Sequence, residues 1–185
     1  MKAALLLIDV QEDYLARKGL TRDRIALTAD LRWLLDGFRE KGLPVVHVIS
    51  IYKKDRSNWT LSMREDDWPV VIEGTPGAEV PPELLPREGE AVLVKDRFSA
   101  FFRTGLDELL DGLDPDSLVI AGINTHACVR TTAIDAFMRD WRVWIPSECV
   151  ASWDPEHHRV SLEYLGRGIA KILPLEDLLD MLAAV

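Results

Sequence analysis

The stretch at residues 117–141, SLVIAGINTHACVRTTAIDAFMRDW, limits the fold more than any other part of the chain. Leu118, Val119, Ile120 and Ala121 form an apolar run that ends at Gly122. Such a run reads as a buried strand. Residues 122–125 read as a short turn, with Thr125 a candidate N-cap. Ala133, Ile134, Phe137, Met138 and Trp141 then recur at three- and four-residue spacing, which puts them on one face of a helix. Cys128 therefore falls in the first turn of a helix that leaves the carboxyl end of a strand. Free backbone N–H groups and the helix dipole favour a thiolate there. A small, inert core residue is the competing reading, and this stretch alone weighs the two equally.

The flanking sequence repeats the pattern. Residues 3–8 are continuously apolar and end at Asp9, consistent with a strand buried on both faces. Residues 22–41 predict a helix with a Leu27, Leu31, Leu34, Leu35, Phe38 stripe, stopped by Gly42 and Pro44. Further strands are predicted at 45–51, at 91–94 with Lys95 at the end, at 143–145, and at 171–173. Helices are predicted around Leu106 to Leu113 with Thr104 as cap, from Asp154-Pro155-Glu156 to about Arg167, and from Leu175 to Ala184. Mainly alternating strands and helices imply a parallel sheet covered by helices on both sides. Residues 52–90 break the alternation with a long loop, of the kind that is functional or acts as a lid. No glycine fingerprint follows the first strand, which argues against a dinucleotide site.

At 185 residues the chain is expected to form a single domain, 1–185. A net charge of −9 argues against nucleic acid and anionic membrane as partners and leaves a small-molecule substrate open. No apolar run reaches membrane-spanning length, and the first residues read as a strand and not a signal peptide. Two cysteines make neither a disulfide framework nor a zinc site, so a cytoplasmic location is the default. Gln11, Asn58 and Asn124 are the chain's only amide side chains, a scarcity in keeping with a thermophilic source.

Ligands of such sheets sit beyond the carboxyl ends of the strands. Asp9, Lys95 and Cys128 all fall there. They offer a base, a cation and a nucleophile; each alone reads equally as a turn or core residue. A carboxylate can accept the thiol proton, and an ammonium stabilises both anions. Cys149 follows another strand and reads as a structural thiol. His47 lies within a strand and reads as a core or face residue, and His157 and His158 as solvated.

Three segments carry a resemblance. LLLIDVQ at 5–11, VKDRFSAFFRT at 94–104 and GINTHACV at 122–129 resemble, in order, the aspartate strand, lysine strand and nucleophile turn of the isochorismatase-like hydrolases. The likeness spans nearly the whole chain. It implies a three-layer α/β/α sandwich, with six parallel strands in the order 3-2-1-4-5-6. Strands one and four are then neighbours, which brings Asp9 and Cys128 together. The resemblance further implies a catalytic Asp9, Lys95 and Cys128, a non-proline cis peptide between Ile123 and Asn124, and an oxyanion hole from the N–H groups of Asn124 and Cys128. It also implies a homodimer or homotetramer. Tyr14, Trp59, Trp68, Phe98 and Phe101 are candidate pocket walls. No cofactor is expected. No metal is expected either, because Ser50 and Tyr52 stand where nicotinamidases carry a metal-binding Asp-x-His pair.

These features favour a cysteine hydrolase of a small amide or related C–N bond. Members that cleave isochorismate, a vinyl ether, have a glycine-like residue in place of Cys128. Residues 121–127, especially His126, nonetheless resemble those members. An ether hydrolase with Asp9 as general acid is therefore the second reading, and an idle relative that binds a metabolite or a protein is the third.

Overall fold

The computed structural model describes residues 2–183. A parallel sheet runs through it. Its strands are β1 (Ala3–Ile8), β2 (Val45–Ser50), β3 (Ala91–Lys95), β4 (Ser117–Ile123), β5 (Val143–Pro146), β6 (Val150–Ala151) and β7 (Lys171–Leu173). The order is β3-β2-β1-β4-β5-β7, and β6 pairs with β4 off this path. The six expected strands thus stand in the expected order. The two-residue β6 is an addition, too short to leave a periodicity in the sequence. It pairs Val150 with Gly122 and Ala151 with Ile123, at the carboxyl end of β4.

All six residues of β1 and all seven of β4 are buried, as central strands between two helix layers must be. One layer contains α1 (Glu12–Leu15), α2 (Arg24–Glu40) and α7 (Leu175–Ala183), packed on Leu5, Leu7 and Val119. The other contains α4 (Leu106–Leu113), α5 (Arg130–Phe137) and α6 (Pro155–Gly166), packed on Leu6, Ile8, Leu118 and Ile120. Together they make the α/β/α sandwich. Ala184, where the last helix was expected to end, lies outside the described residues. None of the helices among the described residues is long and apolar enough to cross a membrane.

The expected helix stripe after Cys128 is displaced. Thr125–Val129 forms a π-helical turn before α5 begins, so the helical phase shifts. Thr132, Ala133 and Ala136 face the core, whereas Phe137 and Met138 are exposed. Thr125 is not the N-cap. Asn124 holds that position without a side-chain cap, and the Thr125 hydroxyl pairs instead with His158 Nδ1 at 2.9 Å. That contact half-buries His158, in contrast to its expected solvation. At α4, Gly105 occupies the cap position, and Thr104 Oγ1 accepts from Leu106 N at 3.3 Å. His47 pairs with Glu90 at 2.8 Å, beside Arg39, and so belongs to a polar cluster away from the cysteine.

Residues 52–90 are tied down throughout. They contain α3 (Leu61–Glu65) and two short 3-10 turns, Pro76–Ala78 and Pro82–Leu84. Gln11 Nε2 donates to Ala78 O at 2.8 Å, and Asp13 Oδ2 accepts from Val71 N at 2.6 Å. The end of β1 therefore sets the path of the loop.

Candidate active site

Two backbone features place the site. At the end of β1, Asp9 is fully buried with φ 52°, a left-handed conformation that few non-glycine residues adopt. Its N–H donates to Val48 O at 2.8 Å, which fixes it against β2. Next to it on β4, Gly122 pairs with Ile8 at φ 122°. A Cβ on Gly122 would lie 1.9 Å from Ile8 O, so only glycine lets the two strands approach. The Ile123–Asn124 peptide is cis, as the resemblance implies.

The three expected polar residues converge. Lys95 Nζ donates to Asp9 Oδ2 at 2.7 Å and to Cys128 Sγ at 3.5 Å. Its third hydrogen bond, at 2.7 Å, goes to Ser50 Oγ, which in turn donates to Asp9 Oδ1 at 2.9 Å. All three ammonium protons are thus engaged. Neither the Lys95 nor the Asp9 side chain has measurable exposure. An ion pair this deep persists only with such full hydrogen bonding. Burial works against the Lys95 charge, but the Asp9 carboxylate, by charge and by hydrogen bond, outweighs it and holds the ammonium above its ordinary range.

Ser50 is the member that the sequence did not single out for this role. Gln11 holds it on both sides: Oε1 accepts from Ser50 N and Nε2 donates to Ser50 O, each at 2.9 Å. A serine ending a strand has no periodicity to betray it. Its position two residues before Tyr52 was the available signal.

The resting state of Cys128 corrects the expectation of a thiolate. Burial, and then the negative charge of Asp9, push the thiol up to about 12, against the opposing pull of Lys95. Desolvation outweighs what one short π-turn offers, so the sulfur rests as a thiol beside a base.

Cys128 opens on a cavity of about 720 Å³. Tyr14, Trp68 and Phe98 line it, as expected, and so do Tyr52 and His126. Trp59 and Phe101 do not. Trp59 is 3% exposed and packs into the core under the long loop, its Nε1 donating to Lys53 O at 2.9 Å. Phe101 is 5% exposed and packs under α5, with the Arg139 guanidinium 4.4 Å from its ring centre. Sequence cannot tell an aromatic that fills a core from one that walls a cavity. The Asn124 side-chain oxygen, in the same wall, is buried without a hydrogen-bond donor. Among the described residues, no three His, Cys, Asp or Glu side chains gather as a metal site.

Known proteins resemble this chain over nearly its whole length. The isochorismatase domain model matches residues 3–177. The isochorismatase of Bacillus subtilis is 31% identical over 183 residues, 98% of this chain and 58% of that protein. The chain spans 58% to 62% of the length of the first curated relatives that it matches. An isochorismatase family protein from Desulfovibrio vulgaris superposes with a TM-score of 0.88 at 31% identity, covering 98% of each chain. N-carbamoylsarcosine amidase from Thermoplasma acidophilum superposes with a TM-score of 0.80 at 30% identity, over 95% of this chain and 97% of that one.

Proposed function

From the premise that this chain belongs to the isochorismatase domain family, we propose that it is a cysteine-dependent hydrolase of small amides or related C–N bonds. One observation carries the reading: a single buried ammonium is hydrogen-bonded to both a carboxylate and a thiol at the wall of a cavity. An amidase among its structural neighbours supports the same chemistry.

In this reading Cys128 Sγ attacks the amide carbonyl carbon as its proton passes to Asp9. The N–H groups of Asn124 and Cys128 stabilise the oxyanion. Collapse of the tetrahedral adduct breaks the C–N bond. Asp9 returns the proton to the departing amine, which leaves a thioester on Cys128. Asp9 then takes a proton from water, whose oxygen attacks the thioester carbon. The acid departs, and the proton goes back to sulfur. Amide and water become acid and amine, and the enzyme is unchanged. Lys95 keeps the base and the sulfur in register throughout, and Ser50 holds the far oxygen of Asp9.

The relationship to an isochorismatase motivates one alternative, vinyl-ether cleavage with Asp9 as general acid and no thioester. A screen of amides, carbamoyl compounds and isochorismate, scored for ammonia and for pyruvate, tests both readings against Cys128→Ala. Ammonia release that requires Cys128 is the expected result. Pyruvate release that survives Cys128→Ala would establish the alternative.

A further inference from the structure

A second cavity, of about 200 Å³, lies beside the first at the carboxyl end of β3. Pockets for larger molecules usually hold about 300–1,000 Å³, so this one suits a single small ion with its waters. Arg97 and Phe102 stand in the walls of both cavities, and Asp96 and Arg103 only in the wall of the smaller one. Lys95 brings no charge to it, because its side chain has no measurable exposure and its ammonium is spent on Asp9, Ser50 and Cys128.

Arg97 is held by one corner. Its Nη1 donates to the carbonyls of Asn58 and Asp96 at 3.1 and 2.6 Å, and lies 3.4 Å from the Asp96 carboxylate. Among the described residues Nε and Nη2 have no acceptor, and the side chain is 40% exposed. That free edge carries the two parallel N–H bonds with which a guanidinium grips an oxyanion. Asn58 braces the held corner. Its Oδ1 accepts from Lys53 N at 2.8 Å and its Nδ2 donates to Ile51 O at 2.9 Å, which fixes the carbonyl that receives Arg97. Of the chain's three amide side chains, Gln11 and Asn124 lie at the active site and Asn58 serves this arginine.

Arg103 stands at φ 54°, in the left-handed region that few non-glycine residues adopt. Its guanidinium lies 5.1 Å from the centre of the Phe102 ring and has no acceptor or carboxylate partner among the described residues. In a chain of net charge −9, the local balance is reversed: two arginines face one acid, Asp96. A pair of solvated surface arginines is the competing reading. It accounts neither for a braced guanidinium nor for an arginine in a strained backbone conformation.

We propose that this second cavity is an oxyanion site, in which the Nε–Nη2 edge of Arg97 and the guanidinium of Arg103 hold one tetrahedral dianion of phosphate size. A tetrahedral ion offers separate oxygens to both arginines, whereas a planar carboxylate satisfies one. The site is distinct from the cavity at the sulfur, and it stands whether or not the amidase reading does.

The test is titration calorimetry with inorganic phosphate at pH 8 and low ionic strength. One phosphate per chain is expected at about millimolar affinity or better, and no binding by about 10 mM overturns the proposal. Arg103→Asn keeps the left-handed backbone, which asparagine tolerates, and should weaken phosphate at least about tenfold. Arg97→Gln should do the same. Asp96→Asn removes the opposing acid and should tighten phosphate about threefold to fivefold. Arg32→Gln, which removes an equal charge on α2, should change nothing. Because Arg103 is not in the wall of the Cys128 cavity, its variant also separates this site from phosphate bound at the active site. Retained affinity in either arginine variant of the cavity overturns the assignment. So does an equal loss in Arg32→Gln, which would mark a diffuse charge effect, or acetate that binds as tightly as phosphate, which would leave one arginine unused.

Discussion

Cys128 and Cys149 are both buried cysteines beyond the carboxyl ends of neighbouring strands, and burial raises the thiol of each. Their surroundings differ. Cys149 has no measurable exposure and packs in the layer formed by α2 and α7, where Asp30 and Glu148 add to the effect of burial. Cys128 lies on the opposite face, at a cavity wall, 3.5 Å from an ammonium that also holds a carboxylate. Position at the end of a strand does not make a cysteine a nucleophile. In the proposed mechanism, a neighbouring carboxylate, an ammonium and an adjoining cavity set Cys128 apart.

The largest expected effect is on turnover. Cys128→Ser and Asp9→Asn should each lower kcat by at least about a thousandfold, because nucleophile and proton carrier act as one unit. Cys149→Ser should stay within about twofold of the parent enzyme in the same ammonia assay. A Cys149 variant as inactive as Cys128→Ser would erase the distinction.

Next comes stability. Lys95→Met leaves the fully buried Asp9 without its counter-ion, a loss of about 3–5 kcal/mol in urea unfolding. A drop under about 1 kcal/mol would show that the pair contributes little to the fold.

Alkylation sharpens the contrast between the cysteines. The thiolate is the reactive form, and below the thiol's pKa its fraction grows about tenfold per pH unit. With Cys128 pushed up to about 12, its reaction with iodoacetamide should accelerate steadily from pH 7 to 10. Asp9→Asn removes a cause of that rise and leaves Lys95 to favour the thiolate. The variant should therefore alkylate about tenfold faster at pH 8 while having lost turnover. Cys149 should not react while the protein stays folded. A wild-type rate that is flat with pH would mean a thiolate at rest.

The smallest effect expected is from Cys149→Ala, about 1 kcal/mol of stability for the small void, with kcat unchanged. Its unfolding midpoint in urea checks this.

Much of this site was legible in the sequence because apolar runs that end in a polar residue mark the carboxyl edge of a parallel sheet. Asp9, Lys95 and Cys128 each stand at such an edge, and the strand order makes two of those edges neighbours. What escaped reading depends on contacts between distant segments. Ser50 gains its role from Gln11, Asp9 and Lys95, none of them near it in sequence. The π-turn at Thr125–Val129 shifts the phase of α5, so a stripe written for a continuous helix pointed Phe137 and Met138 the wrong way. Trp59 and Trp68 lie in the same loop, one in the core and the other 42% exposed at the cavity. Only the path of the loop separates them. The thiol's protonation was misjudged for a related reason, since burial is a tertiary property and the helix terminus a local one.

The most direct test of the central claim is a search for the covalent intermediate. The wild-type protein is mixed with the best amide found, quenched in acid within a turnover, and analysed by intact-protein and peptide mass spectrometry. The account predicts an added acyl group, removable by hydroxylamine, on the peptide that contains Cys128 and absent from the peptide that contains Cys149. Continued turnover without any such adduct, together with an active Cys128→Ser enzyme, would contradict it.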